Sequence, residues 1–390
     1  MENKKALPLL FVVMFLVMVG FGIIIPVLPF FAERVGATPE QLGWLMAVYS
    51  LMQFLFAPIW GRISDKIGRK PVMLIGIAGL SISFFLFAIS TKLWMLFAAR
   101  ILGGLLSSAN MPTTMAYVAD ITTPENRGKG MGIIGAAVGL GFIFGPAIGG
   151  VFSKTSLNMP FFIAGMVSAI TFFFVLFFLS ESLPAEKRTM QNTDTKESRW
   201  KAFNGPVAVL YVLQLFVSFS LAGLEATFAY FAAARAGVDT TQPGYIFMIM
   251  GVAGAIVQGG LVGRLTKKFG EGAVIQAGLV ISIIGFGLIL LTNSFVTAAI
   301  FVTIFGIGNG VIRPSVSALV TKKAKGGQGS ATGLLSSFDS LGRIAGPPIG
   351  GALYSTQMGL PYISGMLISA VAFILYWIYI KREQKSTVTI

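Results

Sequence analysis

The chain has 390 residues, 55% of them hydrophobic and only 11% charged, with a mean hydropathy of +0.81, which excludes a soluble protein of two or three domains. It contains no cysteine and no histidine. Disulfides, thiol chemistry, His or Cys metal sites and imidazole relays are thereby excluded, and any proton carrier must be a carboxylate.

Apolar runs of about 18 to 28 residues predict an all-α polytopic membrane protein with twelve spanning helices. In the first half the spans are Leu7 to Phe31, Leu42 to Trp60, Pro71 to Ser90, Leu93 to Val118, Met131 to Phe152 and Phe161 to Leu179. In the second they are Pro206 to Ala233, Tyr245 to Val262, Ala273 to Leu291, Phe295 to Val320, Ser330 to Tyr354 and Tyr362 to Ile380. The first run follows Lys4 and Lys5, but it is too long for a signal peptide and lacks a small-residue cleavage site, so it is read as span 1. Basic residues crowd one set of loops, leaving only Arg34, Lys92, Lys154 and Arg235 on the other side. That asymmetry predicts both termini in the cytoplasm of a cell-membrane protein. It also accounts for the net charge of +14 through the anionic inner leaflet, without nucleic acid. The polar stretch 181–205 reads as a solvated cytoplasmic linker between a bundle at 1–180 and a bundle at 206–390.

Internal repetition supports those two bundles. The segment GFIFGPAIGG, Gly141 to Gly150, returns as GRIAGPPIGG, Gly342 to Gly351. Likewise GRISDKIGRK, Gly61 to Lys70, is echoed by GRLTKKFGEG, Gly263 to Gly272, and Pro112 by Pro314. Three landmarks in one order at nearly the same offset indicate a duplicated chain of two parallel halves, as in transporters that rock about a central site. Gly141, Gly145 and Gly149 make one helical stripe that another backbone can approach closely, with Pro146 bending the helix; Gly346 and Pro347 repeat the pattern.

Five charges fall inside spans: Arg100, Glu225, Arg313, Asp339 and Arg343. A charge at a helix centre costs about 2.5 to 3.5 kcal/mol on insertion scales, so each is expected to face a partner or a wet cavity. Glu225 has no basic residue one turn away on its own helix, and an isolated carboxyl in apolar surroundings favours its neutral form, which suits a proton carrier; the rival reading is a fixed pair with Arg100. Asp339 and Arg343 stand one turn apart, with Arg313 at similar depth, so a structural ion-pair cluster competes with a coupling role. Tyr49, Gln53, Asn110, Phe142, Gln214, Phe228, Asn309 and Phe338 are candidates to line a roomy pocket, each with plain packing as the alternative. Phe and Met around one carboxylate suit bulky lipophilic cations.

The loop GRISDKIGRK matches at every position the loop signature of the major facilitator superfamily, GFIFGPAIGG resembles its antiporter motif, and Arg100 with Gly103 and Gly104 resembles its helix 4 motif. The segments Ser218 to Phe231 and Ile307 to Pro314 are similar to Gram-positive multidrug:proton antiporters, and Tyr49 to Leu74 is similar to tetracycline exporters. The resemblance implies a role for Arg100 in proton transfer. It also implies a cytoplasmic latch formed by Gly61, Asp65 and Arg69 with Asp120 and Arg127. Two departures stand out. Val17 occupies the place of the tetracycline exporters' helix 1 aspartate, and Gly310 that of an aspartate near the helix 10 arginine of the multidrug relatives.

The expectation is a monomeric, proton-coupled exporter of lipophilic, often cationic, drug-like molecules in the lipid bilayer. It has no cofactor, no metal, no nucleic-acid partner and no enzymatic activity. The coupling residues are Glu225, Asp339, Arg100, Arg313 and Arg343. A tetracycline-type exporter, a proton-coupled nutrient importer and a non-transporting sensor or scaffold are the alternatives.

Overall fold

The computed structural model describes residues 6–123, 125–188, 207–323 and 328–388. Most of the expected linker, residues 189–205, and Pro206 at the start of the expected seventh span lie outside the described residues. The first half contains α1 (Ala6–Ile24), α2 (Leu28–Arg34), α3 (Pro39–Ile67), α4 (Arg69–Ala88), α5 (Leu93–Ser107), α6 (Asn110–Ile121), α7 (Arg127–Ser153) and α8 (Met159–Phe178). The second contains α9 (Ala208–Ala236), α10 (Gln242–Ile256), α11 (Gly263–Ile289), α12 (Phe295–Lys323), α13 (Gln328–Thr356) and α14 (Leu360–Val388). The described residues form no strand. Helices satisfy every backbone group within the segment, which a bilayer demands.

Among the described residues ten helical stretches are long and apolar enough to cross a membrane. One of them, Gln242–Ile289, is 48 residues long and holds two spans. With α13, diluted by glycine, serine, Asp339 and Arg343, the total is twelve.

The helices depart from the expected spans where proline and glycine intervene. Span 1 is divided into α1 and α2 around Pro26, whose ring supplies no N–H. Span 4 is interrupted between α5 and α6, ahead of Pro112, yet Ser108 and Ala109 keep helical dihedrals, so the helix kinks rather than ends. Trp60 Nε1 donates to the Leu105 carbonyl at 2.7 Å beside this kink. A π-helical segment, Val257–Val262, joins α10 to α11. The loop expected from Gly61 is helical as far as Ile67, and Gly68 ends α3 with φ 108° and ψ 163°. In the second half Gly270 interrupts α11 with φ 79° and ψ 157°. These two glycines occupy equivalent places in the repeat and share a left-handed conformation that side chains rarely adopt.

Two compact units emerge. The first comprises the described residues of Met1–Ala37, Val48–Thr195 and Thr240–Met248; the second comprises those of Thr38–Ala47, Lys196–Asp239 and Ile249–Ile390. The start of α3 thus belongs with the second unit, and the start of α10 with the first.

Glycines let helix backbones meet in both units, and one such pair in each is related by the repeat. In the first, α7 lies on α1: a Cβ on Gly145 would sit 2.7 Å from Gly22 Cα and 2.8 Å from the Val19 carbonyl oxygen. In the second, α13 lies on α9: a Cβ on Gly342 would sit 2.5 Å from the Leu215 carbonyl oxygen, and one on Gly346 would be 3.2 Å from Gly223 N. Backbones this close leave room for hydrogen only.

The repeat also preserves an ion pair while reversing its polarity. Arg69 at the start of α4 bonds Asp120 at the end of α6, Nε to Oδ2 at 3.0 Å. At the equivalent places in the second unit Glu271 pairs with Lys322.

These contacts predict a contrast along α7. Gly145→Val should abolish recovery of folded protein from the membrane, because the added carbons meet backbone. Gly139→Val should be tolerated, since nothing lies within 4 Å of a Cβ there. Size-exclusion profiles of the two detergent-solubilised variants check the difference.

Candidate functional site

Four of the five intramembrane charges converge in the second unit. Asp339, on α13, accepts hydrogen bonds from Arg313 of α12 and Ser218 of α9, from Gln214 Nε2 at 2.8 Å and from Arg343 Nε at 3.4 Å. Three donors meet Oδ1 and one reaches Oδ2, drawn from three helices. Arg343 also faces Glu225 of α9, with Nη1 3.8 Å from Oε2. That is ion-pair distance without a hydrogen bond. Among the described residues it is the only side-chain partner of Glu225, whose side chain is 15% exposed. Two arginines and two carboxylates leave the cluster neutral when all are charged. One acid is anchored and the other is loosely held.

The second unit's candidate pocket residues divide between this cluster and the helix packing. Gln214 belongs to the cluster. Phe338 lies against the Tyr211 ring, 5.8 Å between centroids. Phe228 is fully buried. Asn309 donates to the Val217 carbonyl at 3.3 Å and lines a small cavity with Ser220, Ser282 and Ser369.

In the first unit Tyr49 bonds Ser107 at 2.8 Å and receives Gln53 Nε2 at 3.2 Å. Phe21 bridges it to Phe142, with centroids 5.5 Å from Tyr49 and 5.9 Å from Phe142. Tyr49, Gln53 and Phe142 therefore share one neighbourhood. Asn110 instead abuts α4, where a Cβ on Gly76 would overlap its side chain, and both its amide atoms are buried without a partner. Arg100 stands beside Tyr49, and no carboxylate among the described residues lies within ion-pair distance of it.

The loop residues assemble around Arg69, which is 3% exposed. Its Nη1 bonds Asp65 at 2.6 Å and Ser64 at 2.7 Å, and its Nε bonds Asp120. Arg127 stays outside this knot, reaching only the Ala119 carbonyl at 3.4 Å. A Cβ on Gly61 would approach Pro112 at 3.9 Å.

Glu181 is the residue that reasoning from sequence missed, because it begins a polar stretch that reads as solvated linker. Its carboxylate accepts the backbone N–H groups of Arg69 at 2.8 Å and Lys70 at 3.1 Å, the exposed first donors of α4. It also accepts those of Ser182 and Leu183, each at 3.0 Å. A carboxylate from a distant segment thus caps α4 at its positive end. A Cβ on Gly68 would lie 2.5 Å from Glu181 Oε2, so glycine is required there for space as well as for φ. Ser182 donates to Asp120 at 2.9 Å, binding the same segment to the Arg69 knot. The signal available in sequence was a lone acid directly after an apolar span.

Glu181→Gln removes the charge from this cap and is expected to cost about 1 kcal/mol. Gly68→Ala should cost more, because it adds backbone strain to the overlap. Thermal unfolding of the purified variants measures both.

The sequence profile of the Major Facilitator Superfamily matches residues 10–325 and 237–389. Multidrug resistance protein 2 of Bacillus subtilis (strain 168) is 30% identical over 390 residues, covering 99% of this chain and 97% of that protein. Quinolone resistance protein NorA of Staphylococcus aureus is 29% identical over 387 residues, covering 98% of each. Among solved structures, the human organic anion transporter MFSD10 (TETRAN) superposes with a TM-score of 0.70 at 25% identity, covering 96% of this chain and all of that one. The nucleoside transporter NupG, with a TM-score of 0.79 at 16% identity over 97% of this chain and 98% of that one, shares the fold. A matching profile, relatives aligned from end to end and the duplicated helical architecture agree: this chain is a multi-pass membrane transporter belonging to the Major Facilitator Superfamily.

Proposed function

We propose that the chain is a proton-coupled antiporter that exports lipophilic, often cationic, drug-like molecules by alternating access. The observation that carries the reading is the unequal bonding of the two carboxylates in the second unit. Asp339 is held by four donors. Glu225 has one ion pair, with Arg343 at 3.8 Å, and no hydrogen bond from a described side chain. The names of the Bacillus and Staphylococcus relatives, which concern multidrug and quinolone resistance, support the substrate class.

Electrostatics couples the two ligands. With Glu225 ionised the cluster is neutral, and a cation 4 Å from that carboxylate gains about 4 kcal/mol at an effective dielectric of 20. Protonation removes the attraction and leaves the net charge of Arg313, Arg343 and Asp339 at plus one, which repels the same cation. Proton and cationic substrate therefore exclude each other, as antiport requires. In this scheme Glu225 carries the proton, while Asp339 holds Arg313 and Arg343 in place. Tyr49, Gln53 and Phe142 in one unit, and Phe228, Phe338 and Asn309 in the other, supply apolar and weakly polar contacts to the transported molecule. Asn110 is assigned the same role on weaker grounds, since its neighbours belong to α4.

The halves 1–180 and 206–390, joined by a cytoplasmic linker at 181–205, are the bodies proposed to move. The glycine-proline segments of α7 (Gly141, Gly145, Pro146, Gly149) and α13 (Gly346, Pro347) serve as pivots. The Asp65–Arg69–Asp120 knot with Gly61 and Arg127 serves as the cytoplasmic latch. Both termini face the cytoplasm, and one chain suffices for transport.

Glu225→Gln is expected to fold and to lose pH-driven efflux of a fluorescent lipophilic cation from proteoliposomes; undiminished efflux would remove Glu225 from the mechanism. Asp339→Asn strips charge-assisted bonds from two arginines, so a loss of about 1.5 to 3 kcal/mol of stability should accompany any loss of transport. For the latch, Asp65→Asn should leave equilibrium binding of the cation intact and lower turnover, and unchanged turnover would count against that role.

A further inference from the structure

Arg100 is the intramembrane charge that the coupling scheme leaves without a partner. It lies on α5 and is 5% exposed. Its guanidinium carbon is 5.1 Å from the centroid of the Tyr49 ring and 5.2 Å from that of the Phe87 ring. Its Nε is buried with no hydrogen-bond partner, and no described residue accepts a bond from the group. Among the described residues of the first half, Glu33, Asp65, Asp120, Glu125 and Glu181 sit near helix ends or in loops, and no carboxylate pairs with it. The contrast with Arg313 and Arg343, both paired with carboxylates, is plain.

An uncompensated ion held out of water costs several kcal/mol. Ring contacts return about 0.5 to 2 kcal/mol and take up none of the five N–H donors, for which the described residues supply no acceptor. The rings are themselves fixed: Tyr49 is tied to Ser107 and Gln53, and Phe87 stacks on Phe161 with centroids 5.3 Å apart. A planar fork without an acceptor, held against a rigid aromatic mount, suits a carboxylate or a halide.

We propose that Arg100, mounted against Tyr49 and Phe87, is the receptor for a small anion: a halide from the medium, or the carboxylate of a transported molecule. Only the carboxylate source rests on the export reading above. If it applies, the substrate class extends from simple cations to zwitterions.

The test uses the full chain in detergent, in a buffer whose only anion is the bulky sulfonate of HEPES. Its melting temperature is followed against added chloride and, separately, against benzoate with neutral benzamide as control. A ligand that binds only the folded protein raises the melting temperature saturably. Saturable stabilisation by chloride identifies the halide source. Stabilisation by benzoate, without an effect of chloride or benzamide, identifies the carboxylate source. Arg100→Gln should lose either shift and, in the sulfonate buffer alone, melt no lower than the wild type. Should that variant fail to fold, Arg100→Lys keeps the charge without the fork and should need at least tenfold more benzoate for the same shift. No saturable shift in the wild type, or the same shift in the Arg100 variants, overturns the proposal.

Discussion

A charge in an apolar interior has to be answered, and the second unit answers four of them together. Asp339 brings α9, α12 and α13 to one point because Gln214, Ser218, Arg313 and Arg343 all need its oxygens. That convergence leaves Glu225 facing an arginine whose other neighbour is already an acid. The proposed coupling uses the difference in bonding between two carboxylates on one cation: one changes protonation while the other keeps the helices in register. The proposed substrate charge preference rests on the same difference.

The rest of the fold supports that cluster through backbone proximity. The α9–α13 contact that places Glu225 opposite Arg343 depends on Gly342 and Gly346, where any side chain would meet backbone. Its counterpart, α1 on α7, depends on Gly141, Gly145 and Gly149 in the same way. At the opposite end of the repeat, Gly68 and Gly270 share one left-handed turn. The Arg69–Asp120 and Glu271–Lys322 pairs fasten equivalent helix ends with opposite polarity. Duplication kept the geometry and released the choice of charge.

Much of this was legible in the sequence. Twelve apolar runs, two glycine stripes and five intramembrane charges are features of composition and spacing; the runs survive as helices, the stripes as close contacts, and the charges as one buried arginine and a half-buried cluster of four. What could not be read depends on how helices rotate against one another. The pairing of Glu225 with Arg343, 118 positions away, is a property of the α9–α13 contact and not of either segment. The capping of α4 by Glu181 was hidden because an acid after a span looks like solvated linker until its distance to Arg69 N is known. The continuation of α3 to Ile67 was hidden by a charged motif that resembles a loop. Asn110, chosen from its place in a central span, turns toward α4 because Gly76 leaves room for it.

The central claim is that a cation and a proton compete for Glu225. It is tested most directly by mixing a lipophilic cation with the detergent-solubilised protein in weakly buffered solution and following a pH indicator. The account predicts a proton released on binding by the wild type and none by Glu225→Gln. Cation binding without release in the wild type, or equal release from both proteins, would contradict it.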